Sequence, residues 1–429
     1  MRNDIFRSVV LIFLAASIAA TLTACNATGP AADPAPANAA AHLAVADSGE
    51  NRILIYNTPL TAGESASIVI GQTSFTQGLP NQGRATPSAA TLYTPTGLAM
   101  DSGGNLWVAD DHNCRVLEFQ PPFTTGMSAS LVIGQPDLGT PPYCEYSGLN
   151  NSVFSIGSIA FDSQGDLWVA NSAAGRILEY VPPFTASMAP SVAIGQPNLQ
   201  DSAPCNGGGM GEHGPILPPT ASTLCGPVGI AFDPQGDLWV TDEANLRLLE
   251  FIPPFSTGMA ASLDMVGQPP IAFEGDGTSC IDTSSSSFCD PDAIVFDGNG
   301  DLWVADLDYQ RVLEFAPPFS NGMSASMVLT QPNFADYGQL NPGAAGNPAG
   351  LAFDSSGNLI VSGNLFTGEP DGLNYSANSV GTIVVYAPPF SSGMEPATIM
   401  TGGANCWAAI ESIPVSATSL CDPVGVVTF

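Results

Sequence analysis

The chain has 429 residues, 45% of them hydrophobic, with 45 Gly and 38 Pro; 8 Arg, no Lys and 39 Asp or Glu leave a net charge of −31. Neutralising a nucleic-acid backbone takes a basic face, so this acidic excess excludes nucleic acid as a partner. Gly and Pro spread between short apolar runs point to many short strands rather than long helices.

At the N-terminus Arg2 and Arg7 precede the apolar run Ser8 to Leu22, and Leu22-Thr23-Ala24-Cys25 places small residues directly before a cysteine. Residues 1–24 therefore read as a bacterial lipoprotein signal peptide, with Cys25 as the lipid attachment point. The apolar run is shorter than the roughly 20 residues a spanning helix needs. Residues 25–41, rich in Ala, Pro and Asn, read as a flexible tether. The expected location is the cell envelope: exported, and held to a membrane through the N-terminal lipid on its periplasmic or surface side.

From residue 42 onward one four-strand pattern recurs. First strands read Gly97 to Asp101, Ser158 to Asp162, Gly229 to Asp233, Ala293 to Asp297, Gly350 to Asp354 and, at the end of the chain, Gly425 to Phe429. Second strands read Leu43 to Asp47, Leu106 to Asp110, Leu167 to Asn171, Leu238 to Asp242, Leu302 to Asp306 and Leu359 to Gly363. Third strands begin at Arg52, Arg115, Arg176, Arg247, Arg311 and Thr382, and fourth strands at Ser67, Ser130, Ser191, Ser262, Ser326 and Ala397. Six copies of four strands predict an all-β, six-bladed β-propeller of four-stranded antiparallel blades over residues 42–429. The domain opens with strands two, three and four and ends on a lone strand one, so the C-terminal strand is expected to pair with the N-terminal blade and close the ring.

Five of the blade copies carry Arg at the start of strand three, across a short turn from a residue that is Asp in four of them. A forked hydrogen bond from Arg to that carboxylate is the structural role expected. Trp107, Trp168, Trp239 and Trp303 recur at one strand position and are expected to stack between neighbouring blades. The Pro-Pro-Phe segments at 121–123, 182–184, 253–255, 317–319 and 388–390 read as structural turns.

Beyond Cys25 there are eight cysteines, an even number in an exported chain, so a disulfide framework is expected. Cys205 with Cys225, Cys280 with Cys289 and Cys406 with Cys421 each fall within one connection between blades, leaving Cys114 with Cys144. No spacing is that of a CxxC zinc site.

The string Pro-x-Gly-Leu-Ala-Met-Asp, Gly-Asn-Leu-Trp-Val-Ala-Asp, Asn-x-Arg-Val-Leu-Glu-Phe at 95–119, echoed at 227–251 and 291–315, resembles the NHL repeat. That resemblance implies a six-bladed propeller and leaves activity open, since the family's relatives include peptide-amidating lyases, receptor sensor modules, RNA-binding domains and metal-dependent lactonases or streptogramin lyases. Blade six departs most, with Gly363 for the carboxylate and Thr382 for the Arg.

Only three histidines are present, His42, His112 and His213. No Gly-x-Ser-x-Gly elbow, His-Glu-x-x-His pair or phosphate-binding loop occurs. The upper face, which carries the turns after strand two and the connections after strand four, holds the variable segments Gln72 to Thr96, Gln196 to Val228, Glu274 to Asp292 and Ser362 to Gly381. His112, His213 and Trp407 on that face are the candidate ligand-binding residues. The expected function is a non-catalytic binding or scaffold module for a glycan, peptide or protein partner, without a cofactor. The alternative is a divalent-metal lactonase or lyase using calcium or zinc at the top of the channel, with Asp110, Asp242 and Asp306 as candidate ligands, although turns and Arg partners compete for those carboxylates.

Overall fold

The computed structural model describes residues 42–140, 155–203, 205, 210–211, 214–215, 219–266, 284–335, 340–366, 379–401, 416 and 418–429. Blade one joins β26 (Pro423–Thr428) to β1 (His42–Asp47), β2 (Arg52–Asn57) and β3 (Ile68–Ile70). Blade two is β4 (Pro95–Met100), β5 (Leu106–Asp110), β6 (Arg115–Phe119) and β7 (Leu131–Ile133). Blade three is β8 (Ile156–Phe161), β9 (Leu167–Asn171), β10 (Arg176–Tyr180) and β11 (Val192–Ile194). A hairpin of β12 (Met210–Gly211) and β13 (Gly214–Pro215) lies within the following connection. Blade four is β14 (Pro227–Phe232), β15 (Leu238–Asp242), β16 (Arg247–Phe251) and β17 (Leu263–Val266). Blade five is β18 (Pro291–Phe296), β19 (Leu302–Asp306), β20 (Arg311–Phe315) and β21 (Met327–Leu329). Blade six is β22 (Gly346–Phe353), β23 (Leu359–Phe366), β24 (Ser379–Tyr386) and β25 (Thr398–Thr401).

The six expected blades are present, and the ring closes as expected. β26 pairs antiparallel with β1, with Val426 opposite Val45. Beyond the ladder, the backbone N–H of His42 donates to the Phe429 carbonyl at 2.7 Å, and that of Phe429 donates back at 3.0 Å. Second strands such as Leu106–Asp110 are buried at every residue, because each blade is sandwiched between two others. First strands crowd so closely that a Cβ on Gly229 would press onto the Asp292 carbonyl of the next blade. One on Gly425 would press onto the Thr96 carbonyl.

The Trp residues stack between blades. Trp107 meets Phe184 of the next blade at 5.0 Å between ring centroids, Trp168 meets Phe255 at 4.8 Å, Trp239 meets Phe319 at 4.7 Å and Trp303 meets Phe390 at 5.0 Å. All four contacts are edge-on, the arrangement ring quadrupoles favour. In three of them the indole N–H also donates to the Asp ending its blade's first strand: Trp107 to Asp101, Trp168 to Asp162 and Trp239 to Asp233.

Two expectations need correction. The blade Arg does not fork onto the carboxylate: Arg115 gives it only Nε, at 2.8 Å to Asp110 Oδ2, and sends its terminal nitrogens to the carbonyls of Leu138, Ser88 and Thr91. The guanidinium is needed by the crossing loops, whose carbonyls would otherwise be buried without a donor. The segment Ser362 to Gly381 is not simply an insertion loop, because β23 and β24 run on together until Phe366 faces Ser379. With Gly363 opposite Thr382 instead of an Asp–Arg pair, nothing at the rim forces the chain to turn there.

Candidate functional site

The carboxylates ending the second strands are structural. Asp110, Asp242 and Asp306 are fully buried, and each accepts Nε of its blade's Arg at 2.8, 2.8 and 2.9 Å. Backbone N–H groups of Tyr93, Cys225 and Cys289 donate to the other oxygen of each carboxylate. These three metal-ligand candidates are thus engaged on both oxygens by the fold.

A different acidic group gathers at the upper mouth. Glu243 lies in the 3-10 turn after β15, Asp290 and Asp292 flank Pro291 at the start of β18, Asp308 follows β19, and Asp422 precedes β26. Glu243 and Asp290 share a hydrogen bond. Asn364 Nδ2 donates to Asp422 at 2.9 Å. Burial, reinforced by the charges of Glu243, Asp292, Asp308 and Asp306, pushes the Asp290 carboxyl up to about 9. Burial together with Glu243 and Asp422 pushes Asp292 up to about 8. Glu243 and Asp308 are also raised, chiefly by burial. Asp292 of blade five is thus influenced by carboxylates from blades four and one at once. Glu243, Asp290, Asp292 and Asp308, raised by burial and by neighbouring carboxylates, make this a candidate functional site.

A pH dependence follows. Unfolded carboxyls titrate near about 4, whereas Asp292 and Asp290 hold their protons up to about 8 and about 9 in the folded chain. Between those limits the folded state binds more protons, so stability falls as pH rises. The melting temperature is expected to drop from pH 5 to pH 9, and Asp290→Asn with Asp292→Asn should flatten the slope in calorimetric melts. An unchanged slope in that double variant would mean the mouth carboxyls titrate normally.

His112 stands where the sequence puts it, exposed in the 3-10 turn Asp111–Asn113 on the upper rim. Its Nδ1 lies 3.1 Å from Asp111, which raises its pKa, and its ring meets Tyr93 at 4.7 Å between centroids. His213, Trp407 and Cys25 lie outside the described residues. The Cys205–Cys225 disulfide is formed, and Cys114 and Cys289 are disulfide-bonded. Their expected partners Cys144 and Cys280, and the Cys406 of the remaining pair, lie outside the described residues; Cys421 itself is buried.

The upper loops are tied down by residues that carried no functional signal in the sequence. The Gln that follows the fourth strand reaches back to the turn after strand two: Gln72 Nε2 donates to the Asn51 carbonyl at 3.0 Å, Gln135 to Cys114 at 3.1 Å and Gln196 to Gly175 at 3.2 Å. Asn81 and Asn113 exchange a reciprocal pair of amide hydrogen bonds at 3.0 and 2.9 Å. The repeated Ile-Gly-Gln triplet was the available signal for the Gln brace.

The model of the NHL repeat family matches residues 92–119 and 224–251, in blades two and four. No curated protein matches. Among solved structures, a protein of unknown function from Bacteroides caccae is similar at 12% identity, covering 91% of this chain and 99% of its own, with a TM-score of 0.48. A candidate 6-phosphogluconolactonase from Bacteroides uniformis is similar at 14% identity, over 91% of this chain and 99% of its own, with a TM-score of 0.42. Virginiamycin B lyase from Staphylococcus aureus is similar at 12% identity, over 73% of each chain, with a TM-score of 0.34. Identities this low transfer no activity. The chain is a six-bladed β-propeller, closed by its terminal strand, in which blades two and four match the NHL repeat.

Proposed function

We propose that the protein is an exported, lipid-anchored binding module whose upper mouth takes a cationic segment of a peptide or protein partner. The observation that supports this reading is a gathering of half-buried acidic groups that no blade Arg pairs with. The mouth gathers Glu243, Asp290, Asp292, Asp308 and Asp422, while five blade Arg are at most 2% exposed and Arg84 is the one exposed Arg among the described residues. Apart from Arg84 and His112 on the surrounding rim, the described residues offer no exposed cation at this face, so a partner would supply the positive charge, and a rim braced by Gln side chains and a disulfide lowers the ordering cost of binding.

The test is calorimetric titration with a Lys- and Arg-rich peptide. Binding should tighten from pH 6 to pH 9 as Asp292 and Asp290 give up their protons, and Asp290→Asn with Asp292→Asn should weaken it at least about tenfold, the loss of one or two desolvated ion pairs. The control neutralises Asp166, Asp237 and Asp301 on the opposite face. Equal weakening by both sets would reduce the effect to general acidity and overturn the reading.

The second reading is a divalent-metal lactonase or lyase. It draws on the same mouth carboxylates, which no Arg among the described residues neutralises and which would trade their protons for a cation, whereas the described acids already within 4.8 Å of one another, Asp162, Asp166 and Glu179 and Asp233, Asp237 and Glu250, lie on the opposite face. Calcium or zinc retained stoichiometrically after purification, and lost in Asp292→Asn, would support it over the binding module.

A further inference from the structure

On the lower face, the seam between blade six and blade one lacks the aromatic packing of its neighbours. Where blades two to five place Trp107, Trp168, Trp239 and Trp303, blade six has Ile360. Where the following blade supplies Phe161 and Phe184 to Trp107, blade one supplies Thr428 and Leu60. All three ring positions are therefore aliphatic or polar at this one seam. The seam between blades one and two also lacks a Trp, but there Phe429 meets Phe123 at 5.5 Å and fills the gap.

The missing rings leave a cavity of about 150 Å³. Leu60, Ile360, Val385 and Ala397 form its apolar walls, and Asp354 and Asn358 stand at its polar end. Pro59 and Ala397 are exposed, so the cavity opens to solvent. An apolar cavity of about this size is enough to hold a benzene ring.

The polar end matches blade two group for group. Asp101 Oδ1 accepts the backbone N–H groups of Gly103 and Asn105, and its Oδ2 accepts Asn105 Nδ2 at 2.8 Å and Trp107 Nε1 at 3.0 Å. Asp354 Oδ1 accepts the N–H groups of Ser356 and Asn358, and its Oδ2 accepts Asn358 Nδ2 at 2.7 Å. The one donor Asp101 has and Asp354 lacks is an indole N–H, and the space that indole would fill is the cavity.

The geometry points to a second binding site in this slot, for a small aromatic ligand that carries a ring N–H, of the indole class. The ring packs where the other blades place their own indoles, and its N–H donates to Asp354 Oδ2. This site is independent of the acidic mouth, which lies on the opposite face.

The experiment titrates the full folded chain with indole, and with benzene as the probe that lacks a donor, following the melting temperature and the heat of binding. Indole should raise the melting temperature in a concentration-dependent way and bind at least about tenfold tighter than benzene, since a hydrogen bond to a carboxylate is in play. Ile360→Trp supplies the missing ring from the chain itself and should abolish the response to indole. Leu60→Phe narrows the slot from the opposite wall, and should weaken binding at least tenfold even if the first variant folds poorly. No response at the solubility limit of indole, equal affinity for benzene, or a folded Ile360→Trp that still responds would each overturn the proposal.

Discussion

A chain cut after Asp422 is expected to lose cooperative melting, or to melt lower by on the order of 10 °C, because several kcal/mol of packing disappear with one strand. The cut removes β26, whose ladder with β1 completes blade one. It leaves the N–H and C=O groups of β1 unpaired along an open edge. It also removes the Phe429 ring from Phe123 and takes Gly425 away from the Thr96 carbonyl. In a ring, each blade is held by two neighbours, so one open seam weakens both blades beside it. Replacing the exposed loop tip Gly83 to Thr86 with Gly and Ser removes no comparable burial and should move the melting temperature by no more than about 1 °C. Calorimetry of the two variants side by side checks the contrast. A truncated chain that melts within a degree or two of the full one would contradict closure by the terminal strand.

The second large effect is expected at the buried guanidinium. Arg115→Met should cost about 3–5 kcal/mol, the usual penalty for breaking a buried ion pair from one side. The Asp110 carboxylate would lose its Nε donor, and the carbonyls of Leu138, Ser88 and Thr91 would lose theirs. Lys does not rescue, since an ammonium cannot span four acceptors in one plane. Asp110→Asn should cost clearly less. Blade three already has Asn171 at this position, with Arg176 bonded to the carbonyls of Leu199 and Asp201. Urea midpoints of the variants measure the asymmetry. An Asp110→Asn cost equal to that of Arg115→Met would mean that the ion pair, and not the anchoring of the loops, is what the Arg contributes.

Much of the fold was legible in residues 42–429. A second strand such as Leu106–Asp110 is an apolar run bounded by turn residues, and that pattern needs no partner to be recognised. The same holds for Trp107 and its three counterparts, whose recurrence at one strand position implied burial between blades. The partition of the Arg nitrogens was not legible: Ser88 and Leu138 flank Arg115 at distances along the chain that give no hint of which carbonyls arrive beside it. The upper mouth was misjudged for a related reason. Asp110, Asp242 and Asp306 repeat conspicuously, and repetition in this chain marks structure. Asp290 and Asp422 share one repeat position, directly before the Pro that opens a first strand, but nothing along the chain brings Glu243 and Asp292 beside them.

The sequence by itself determined the number of blades, the order of strands within them and the joining of the two ends, because hydrophobic alternation, Gly and Pro punctuation and the order of copies are properties of local segments. Only the tertiary structure decided which carboxylates are engaged and which confront one another. Desolvation and like-charge repulsion depend on carboxylates that blades four, five and one bring within reach of one another. The lower slot was settled the same way: Ile360 is visible as a departure from Trp, but an open cavity requires that Leu60, from the other end of the domain, also be too small to fill the space beside it.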